Sequence, residues 1–584
     1  MELRSFLLGP LARLFSRQLS PSSAPEQRYQ TLPGELDGDD DEDGSPDCVC
    51  EDGSNSRGES AAVHRDAAAL LLIKLGRSPT QRIHVSPEDS ARILRRIDIA
   101  LLPIMLIVYF LHALDKATLS YASVFGLIDD THLTGSQFSW LGSIVYVAQL
   151  LMQFPVAWAL VKLPIGTFTS IMVLCWGITL TTMAWASVFP ALLGSRFLLG
   201  AFEASVGPSF VAITQMWWRR REQTVRVGSW YCMNGLTWVF GSLVTYSLAK
   251  INSSLRPYQV IFLFFGAITV VVATVMFFSM PNSPTEARFL SDDDKVLAIG
   301  RLQDNRQGVM SREWRRSHFI EALCDVKTWL WFSLVMCASV PSNSFSTFGP
   351  LIIQSFVEDP FQTMLFNIPV GLSHFFSVTA STYLSMRWKL KGPMIAILCV
   401  PPIIGLGVLL AFEHDTANKG ILLAGYFCLS TFTGITPLIF SWSSQNTAGD
   451  TKRKCTSALV FVGSSAGNII GPLLFTPEEA PSYTRGLRAS IALFAVVVAL
   501  VAITSVYLVR LNHSHARRRV ALGKSAVAID TSLDSAASAR MVDATRREPD
   551  EDREDVWSGE NEAAGDKTFS DATDLENEDF VYVY

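Results

Sequence analysis

Charge is what the central part of this sequence has least of. Residues 91–511 hold 30 Lys and Arg against 21 Asp and Glu, so about 12% of them are charged, roughly half the share in an ordinary globular domain. A stretch so poor in charge cannot clothe a soluble enzyme domain, and its cations are far too sparse for a nucleic-acid binder. Metal-ligand spacing is missing as well. The nine cysteines are scattered, and Cys48-Val49-Cys50 lies in a polar stretch, so cysteine reads as small apolar packing. No nucleophile–base pair, metal cluster or phosphate loop is visible, which argues against an enzyme and implies no cofactor. What the chain has in abundance is apolar surface, 49% of its residues, and a mean hydropathy of +0.27 despite two polar ends.

A bilayer core needs about 20 mostly apolar residues per helix. Such runs recur near 98–118, 136–160, 166–187, 189–213, 225–249, 258–280, 328–350, 361–385, 392–412, 420–443, 456–475 and 487–510. The expected fold is therefore an all-α polytopic membrane protein of twelve transmembrane helices in two six-helix bundles, 91–280 and 328–511. A linker at 281–327 joins them, with Ser291-Asp292-Asp293-Asp294 patterned as a helix N-cap. Basic residues set the orientation. Arg219, Arg220, Arg221 and Arg226, the 281–327 stretch, Arg387, Lys389, Lys452, Arg453, Lys454 and Arg517–Arg519 all fall in loops on one side. Only Lys250, Arg256, Lys419, Arg485 and Arg488 fall on the other. The first side reads as cytoplasmic, with both termini there, and the protein as a multi-pass component of the plasma membrane. The sequon Asn252-Ser253-Ser254 then lies outside, as an N-glycosylation site. The ends, 1–90 and 512–584, carry 9 basic against 16 acidic and 9 against 17 residues. With little to bury, they read as disordered acidic cytoplasmic tails.

Charge inside the bilayer is costly and should face a cavity or a partner. Asp115 and Lys116 fall near the outer end of helix one, Arg196 and Glu203 on helix four, and His374 alone on helix eight. Arg196 and Glu203 are seven apart, on one helical face but about 10 Å apart along the axis, so each must meet something else. Asp115 suits Arg196, and a proton suits Glu203, because desolvation favours the neutral form of a carboxylate. The alternative for this set is a purely architectural tie between helices, and for His374 a satisfied core histidine. Lys116 can snorkel to water. Gly463, Gly467 and Gly471 on helix eleven form a doubled small-xxx-small spacing for close packing, with Asn468 and Pro472 beside them and a hinge as the second reading. Trp140, Tyr146, Gln153, Asn234, Trp238 and Asn343 could bond or stack on a ligand.

Several stretches resemble a known family. Asp115-Lys116-Ala117-Thr118-Leu119-Ser120, Leu133-Thr134-Gly135-Ser136-Gln137, Arg196-Phe197-Leu198-Leu199-Gly200 with Glu203 and Pro208, and Asn446-Thr447-Ala448-Gly449 stand in order with Gly467-Asn468-Ile469-Ile470-Gly471-Pro472 and Ala480-Pro481-Ser482-Tyr483. They are similar to the fungal allantoate-permease-like transporters, an anion:cation symporter group of the major facilitator superfamily. The resemblance covers about 90–510. It implies two pseudo-symmetric bundles rocking around a midplane site, and a small organic anion as substrate, such as a ureido acid, vitamin carboxylate or small peptide, coupled to protons; a functional monomer is expected. By position, Asp115, Arg196 and Glu203 fall in the family's charged motifs. Val340-Pro341-Ser342-Asn343-Ser344-Phe345 and Ile368-Pro369-Val370-Gly371 depart from its pattern on helices expected to line the cavity. Export of a secondary metabolite and a non-transporting nutrient receptor are the alternative functions.

Overall fold

Inside a bilayer an apolar run can satisfy its own amides and carbonyls only by coiling into a helix. Helix is the only regular secondary structure among the described residues of this protein, whose structure is a computed structural model. It describes Leu71, Lys74, Ile83 and residues 85–584 except 125–126, 134–136, 250, 252, 304, 306–312, 355–359, 413–417, 475–482 and 526–570. The acid run Asp37–Asp43 and most of the second acidic tail lie outside the described residues.

The first six spans are Pro87–Val124, Gln137–Lys162, Ile165–Thr182, Phe189–Trp217, Arg220–Tyr231 with Met233–Ala249, and Pro257–Ser279. The second six are Val326–Gln354, Pro360–Trp388, Gly392–Ala411, Lys419–Gln445, Asp450–Leu473 and Thr484–Ala521. Nine of these pass a length and apolarity test for crossing a bilayer among the described residues, and the seventh passes together with Arg316–Cys324, to which it is bent by 61°. The chain is an all-α, twelve-helix, two-bundle membrane protein.

The fourth and tenth spans, six apart in order, are both broken. The fourth stops at Glu203 and resumes at Val206. Pro208 has no N–H to give to the Ala204 carbonyl and crowds it, which interrupts the ladder at that point. The tenth passes through a 3₁₀ turn, Ser430–Gly434, three residues ahead of Pro437. Both breaks face the space between the bundles.

The linker contains the helix Asp292–Gln303, capped as its sequence suggests: the Asp294 amide donates to Ser291 Oγ at 3.2 Å. It is fastened to the first bundle. Asp294 is paired with Arg92 and Arg96, and Arg301 reaches Glu222 at 2.8 Å and Ser90 Oγ at 3.0 Å.

Several boundaries differ from those read off hydropathy; at the fifth span, Arg220, Arg221 and Arg226 lie in the helix Arg220–Tyr231 rather than in a loop. The first span begins at Pro87, where the Asp89 amide donates to Ser86 Oγ. The eleventh begins at Asp450, so Lys452, Arg453 and Lys454 form its first turns rather than a loop. The twelfth runs on to Ala521, eleven residues past the apolar run. In each case polar residues extend a helix that hydropathy can follow only to the edge of the apolar stretch.

The three glycines of the eleventh span pack against the seventh. A Cβ at Gly463, Gly467 or Gly471 would stand 2.7, 2.6 or 2.5 Å from the carbonyl oxygens of Phe332, Met336 and Val340. Those atoms are backbone and cannot swing aside. Gly467→Val is therefore expected to cost about 1–3 kcal/mol of stability through overpacking. Gly407→Ala, with open space around its Cβ, should leave the melting temperature in detergent unchanged. Equal melting of the two variants would refute the tight-packing account.

Candidate transport site

Between the bundles lies a cavity of about 200 Å³. Its described walls come from spans one, two, four and five on one side and seven, eight, ten and eleven on the other. The halves pack closely against one another beside it. Gly235 and Gly371, for example, approach so closely across the seam that a Cβ on either would meet the other's carbonyl at 2.6 Å.

The first half supplies the charge. Lys116 is exposed and lines the cavity, with its Nζ 5.9 Å from the centre of the Tyr146 ring. Glu203 is buried where the fourth span breaks, and also lines the cavity. Its Oε2 accepts from Gln149 Nε2 at 2.9 Å, and its Oε1 lies 3.0 Å from His112 Nε2. His112 stacks loosely on Tyr109 and meets Trp176 edge-on. Gln149 and Gln153, one helical turn apart, present their amides to the same space.

The second half supplies neutral donors and acceptors: Ser339, Ser342, Ser430, Thr433, Ser464 and Ser465 among them. Asn343 accepts from Tyr146 Oη at 3.3 Å and donates to the Asn468 carbonyl at 2.6 Å, so it spans the cavity from the seventh helix to the second and eleventh. His374 lines the wall edge-on to Trp238 and Phe432, with ring centres 6.2 and 5.9 Å apart.

Of the residues singled out from sequence, Glu203, Asn234, Asn343, His374 and Asn468 reach this cavity, with Tyr146, Gln153 and Trp238. Asp115 and Arg196 do not. They line a smaller space of about 40 Å³ behind it, shared with Lys116, Tyr146 and Glu203. Asp115 Oδ2 accepts from Trp176 Nε1 at 2.7 Å, which ties the first span to the third. Arg196 is buried, and its Nε and Nη2 have no hydrogen-bond partner among the described residues. Asn234 also donates to the Tyr231 carbonyl, a local bond that orients its amide. Trp140 is 55% exposed and does not line the cavity. Asn252 lies outside the described residues. Sequence reasoning missed His112 and Gln149. The available signal was their spacing: His112 is one turn before Lys116, and Gln149 one turn before Gln153.

At the end that carries Arg219–Arg221, the halves meet directly. Gln215 Nε2 donates to Ser444 Oγ at 2.7 Å, and Gln445 Nε2 to the Arg220 carbonyl and to Thr224 Oγ1. This basic end is closed.

The model of the Major Facilitator Superfamily matches residues 105–472. Allantoate permease of Saccharomyces cerevisiae (strain ATCC 204508 / S288c) is 28% identical over 455 residues, 76% of this chain and 83% of the relative. An uncharacterized transporter of Schizosaccharomyces pombe (strain 972 / ATCC 24843) is 34% identical over 420 residues, 71% and 78% of the two chains. Among solved structures, the proton:xylose symporter XylE aligns with a TM-score of 0.56 at 13% identity, over 71% of this chain and 95% of that one, which is a likeness of fold. The chain belongs to the major facilitator superfamily, in the group of fungal transporters that includes allantoate permease, and is a secondary active transmembrane transporter rather than an enzyme.

Proposed function

We propose that this transporter takes up a small organic anion together with protons, working as a monomer in the plasma membrane with the basic end in the cytoplasm. The observation that carries the reading is the pairing, on one wall of the cavity, of an exposed ammonium at Lys116 with a buried carboxylate at Glu203. An ammonium in a partly desolvated cleft recognises a carboxylate by a charge-assisted bond. A carboxylate held between an amide donor and an imidazole can take up and release a proton where solvent water cannot compete. His112, 3.0 Å away, gives the proton a second station. The hydroxyls and amides of the second half then bind the uncharged part of the substrate. Arg196 stands behind this pair, in the smaller space that Glu203 also lines.

Purified protein in liposomes, given an inwardly directed proton gradient and a panel of carboxylates and ureides, tests the reading. Accumulation of at least one anion that a protonophore abolishes is the expected result. Accumulation untouched by the protonophore would remove proton coupling. Efflux in exchange for protons would replace uptake by export.

A further inference from the structure

Residues 571–584 sit within the stretch that composition assigns to a disordered acidic tail, yet they pack into the basic end of the protein. Thr573, Asp574, Phe580 and Tyr582 are each at most 1% exposed. The segment is bonded along its length. Asp571 accepts from the Asp450 amide at 2.7 Å, and Asp574 accepts from Lys327, from Lys452 at 2.9 Å and from the Ala448 amide at 3.2 Å. Tyr582 Oη donates to Asp574 Oδ2 at 2.9 Å. The Tyr582 backbone exchanges two hydrogen bonds with the Asn512 amide, and the Val583 backbone two with Asn446. Trp442 Nε1 also donates to the Val583 carbonyl, at 2.7 Å. Arg518 donates to the Leu575 carbonyl, Arg519 pairs with Asp579, and Lys524 pairs with Glu578 and Asp579.

Those contacts belong to the second bundle and its flanks. One more crosses to the first. Arg220, at the start of the fifth span, donates to the Val581 carbonyl at 2.9 Å and lays its guanidinium 4.8 Å from the centre of the Phe580 ring. The same Arg220 Nη2 donates to the Gln445 carbonyl at 2.6 Å, on the closed seam itself. The segment therefore touches both halves at the place where they must part if the cavity is to open at this end.

The receiving surface is shaped for it. Gly449 has φ +85°, in the left-handed region that favours glycine, and a Cβ there would come within 3.2 Å of Thr573 Cγ2. Lys327 and Lys452, each at most 1% exposed, would retain Asp325 and Glu321 as carboxylate partners were Asp574 withdrawn. Burial alone would push the Asp574 carboxyl up, but these two ammonium groups hold it well below the usual carboxylate range. Its depressed value makes the pairing's contribution fully present above the ordinary carboxylate pKa, and lost progressively as the pH falls below it.

We infer that the basic end carries a peptide-binding cleft, framed by Arg220, Lys327, Trp442, Asn446 and Lys452, which takes an acidic segment ending in alternating aromatic residues. Its occupant is this chain's own 571–584, acting as a removable latch across the seam. The inference rests on the transporter reading only for the consequence of opening; occupancy of the cleft can be measured without any substrate.

The full-length protein and a variant lacking 571–584 are compared for binding of a fluorescent peptide of that sequence. The truncated protein should bind it saturably and the full-length protein should not. Asp574→Asn in the peptide should weaken binding by about tenfold or more, as loss of bonds to two charged groups implies. In case the truncated chain fails to fold, Asp574→Asn in the full-length protein should loosen the native segment and admit the wild-type peptide. Hydrogen exchange at the amides of 220–224 and 444–448 should rise on truncation and fall again with peptide. Absence of binding to both variants, or equal binding to the unmodified protein, would overturn the cleft. Binding with unchanged exchange at the seam would overturn the latch.

Discussion

Glu203→Gln is expected to reduce proton-driven accumulation to background while leaving the folded protein intact. Glutamine has the same length, keeps a carbonyl for the Gln149 amide that now sits 2.9 Å away, and can face His112 as the carboxylate does. It cannot gain or lose a proton. Among the described residues, Glu203 Oε1 has no hydrogen-bonding partner other than that imidazole neighbour, and burying a carboxylate without full pairing is costly. Neutralising it should therefore leave the melting temperature unchanged or raise it. That split between function and stability separates a proton carrier from an architectural tie, for which loss of the charge would lower both. Exchange of substrate across the membrane, which needs no net proton movement, should survive in the variant. Wild-type accumulation against a gradient would take Glu203 out of the proton path, and a drop in melting temperature matching the loss of uptake would reduce it to a brace.

The sequence carried a good deal of this. Hydropathy located the spans because a bilayer allows few other solutions. The scarcity of intramembrane charge led directly to Glu203, since a chain with so few such residues has little room to hide a functional one. Depth was not legible. Arg196 and Glu203 share a helical face, and seven residues of helix carry no information about which of them meets the cavity. The break at Ala204 and Ser205 turns Glu203 toward the main space and leaves Arg196 behind it with Asp115. Asp115 is likewise engaged by Trp176, 61 positions away, a partner no local pattern names. The segment 571–584 was misread for a related reason. Five acidic residues in nine positions look solvated until two lysines, about 250 and 120 positions upstream, are known to be buried beneath them.

The second large effect belongs to Lys116. Lys116→Ala should raise the KM for an anionic substrate by about 10–100-fold, the range that loss of a hydrogen bond to a charged group implies, with a smaller change in maximal rate. Lys116→Arg should retain most of the affinity, because a guanidinium at the same place still pairs with a carboxylate. The contrast that matters is with a neutral analogue, the amide of the same acid. Wild-type protein should discriminate against it, and the alanine variant should bind acid and amide about equally. Lys116 is placed for this as the buried Arg196 is not: it is exposed and lines the main cavity, whereas Arg196 lines only the smaller one. Discrimination that persists in Lys116→Ala and disappears in Arg196→Ala would reverse the assignment, and would mean that the small cavity opens to substrate during transport. A lysine serving only to balance Glu203 would behave differently again. Its removal would then alter the proton dependence of uptake for acid and amide alike, and leave the preference between them as it was.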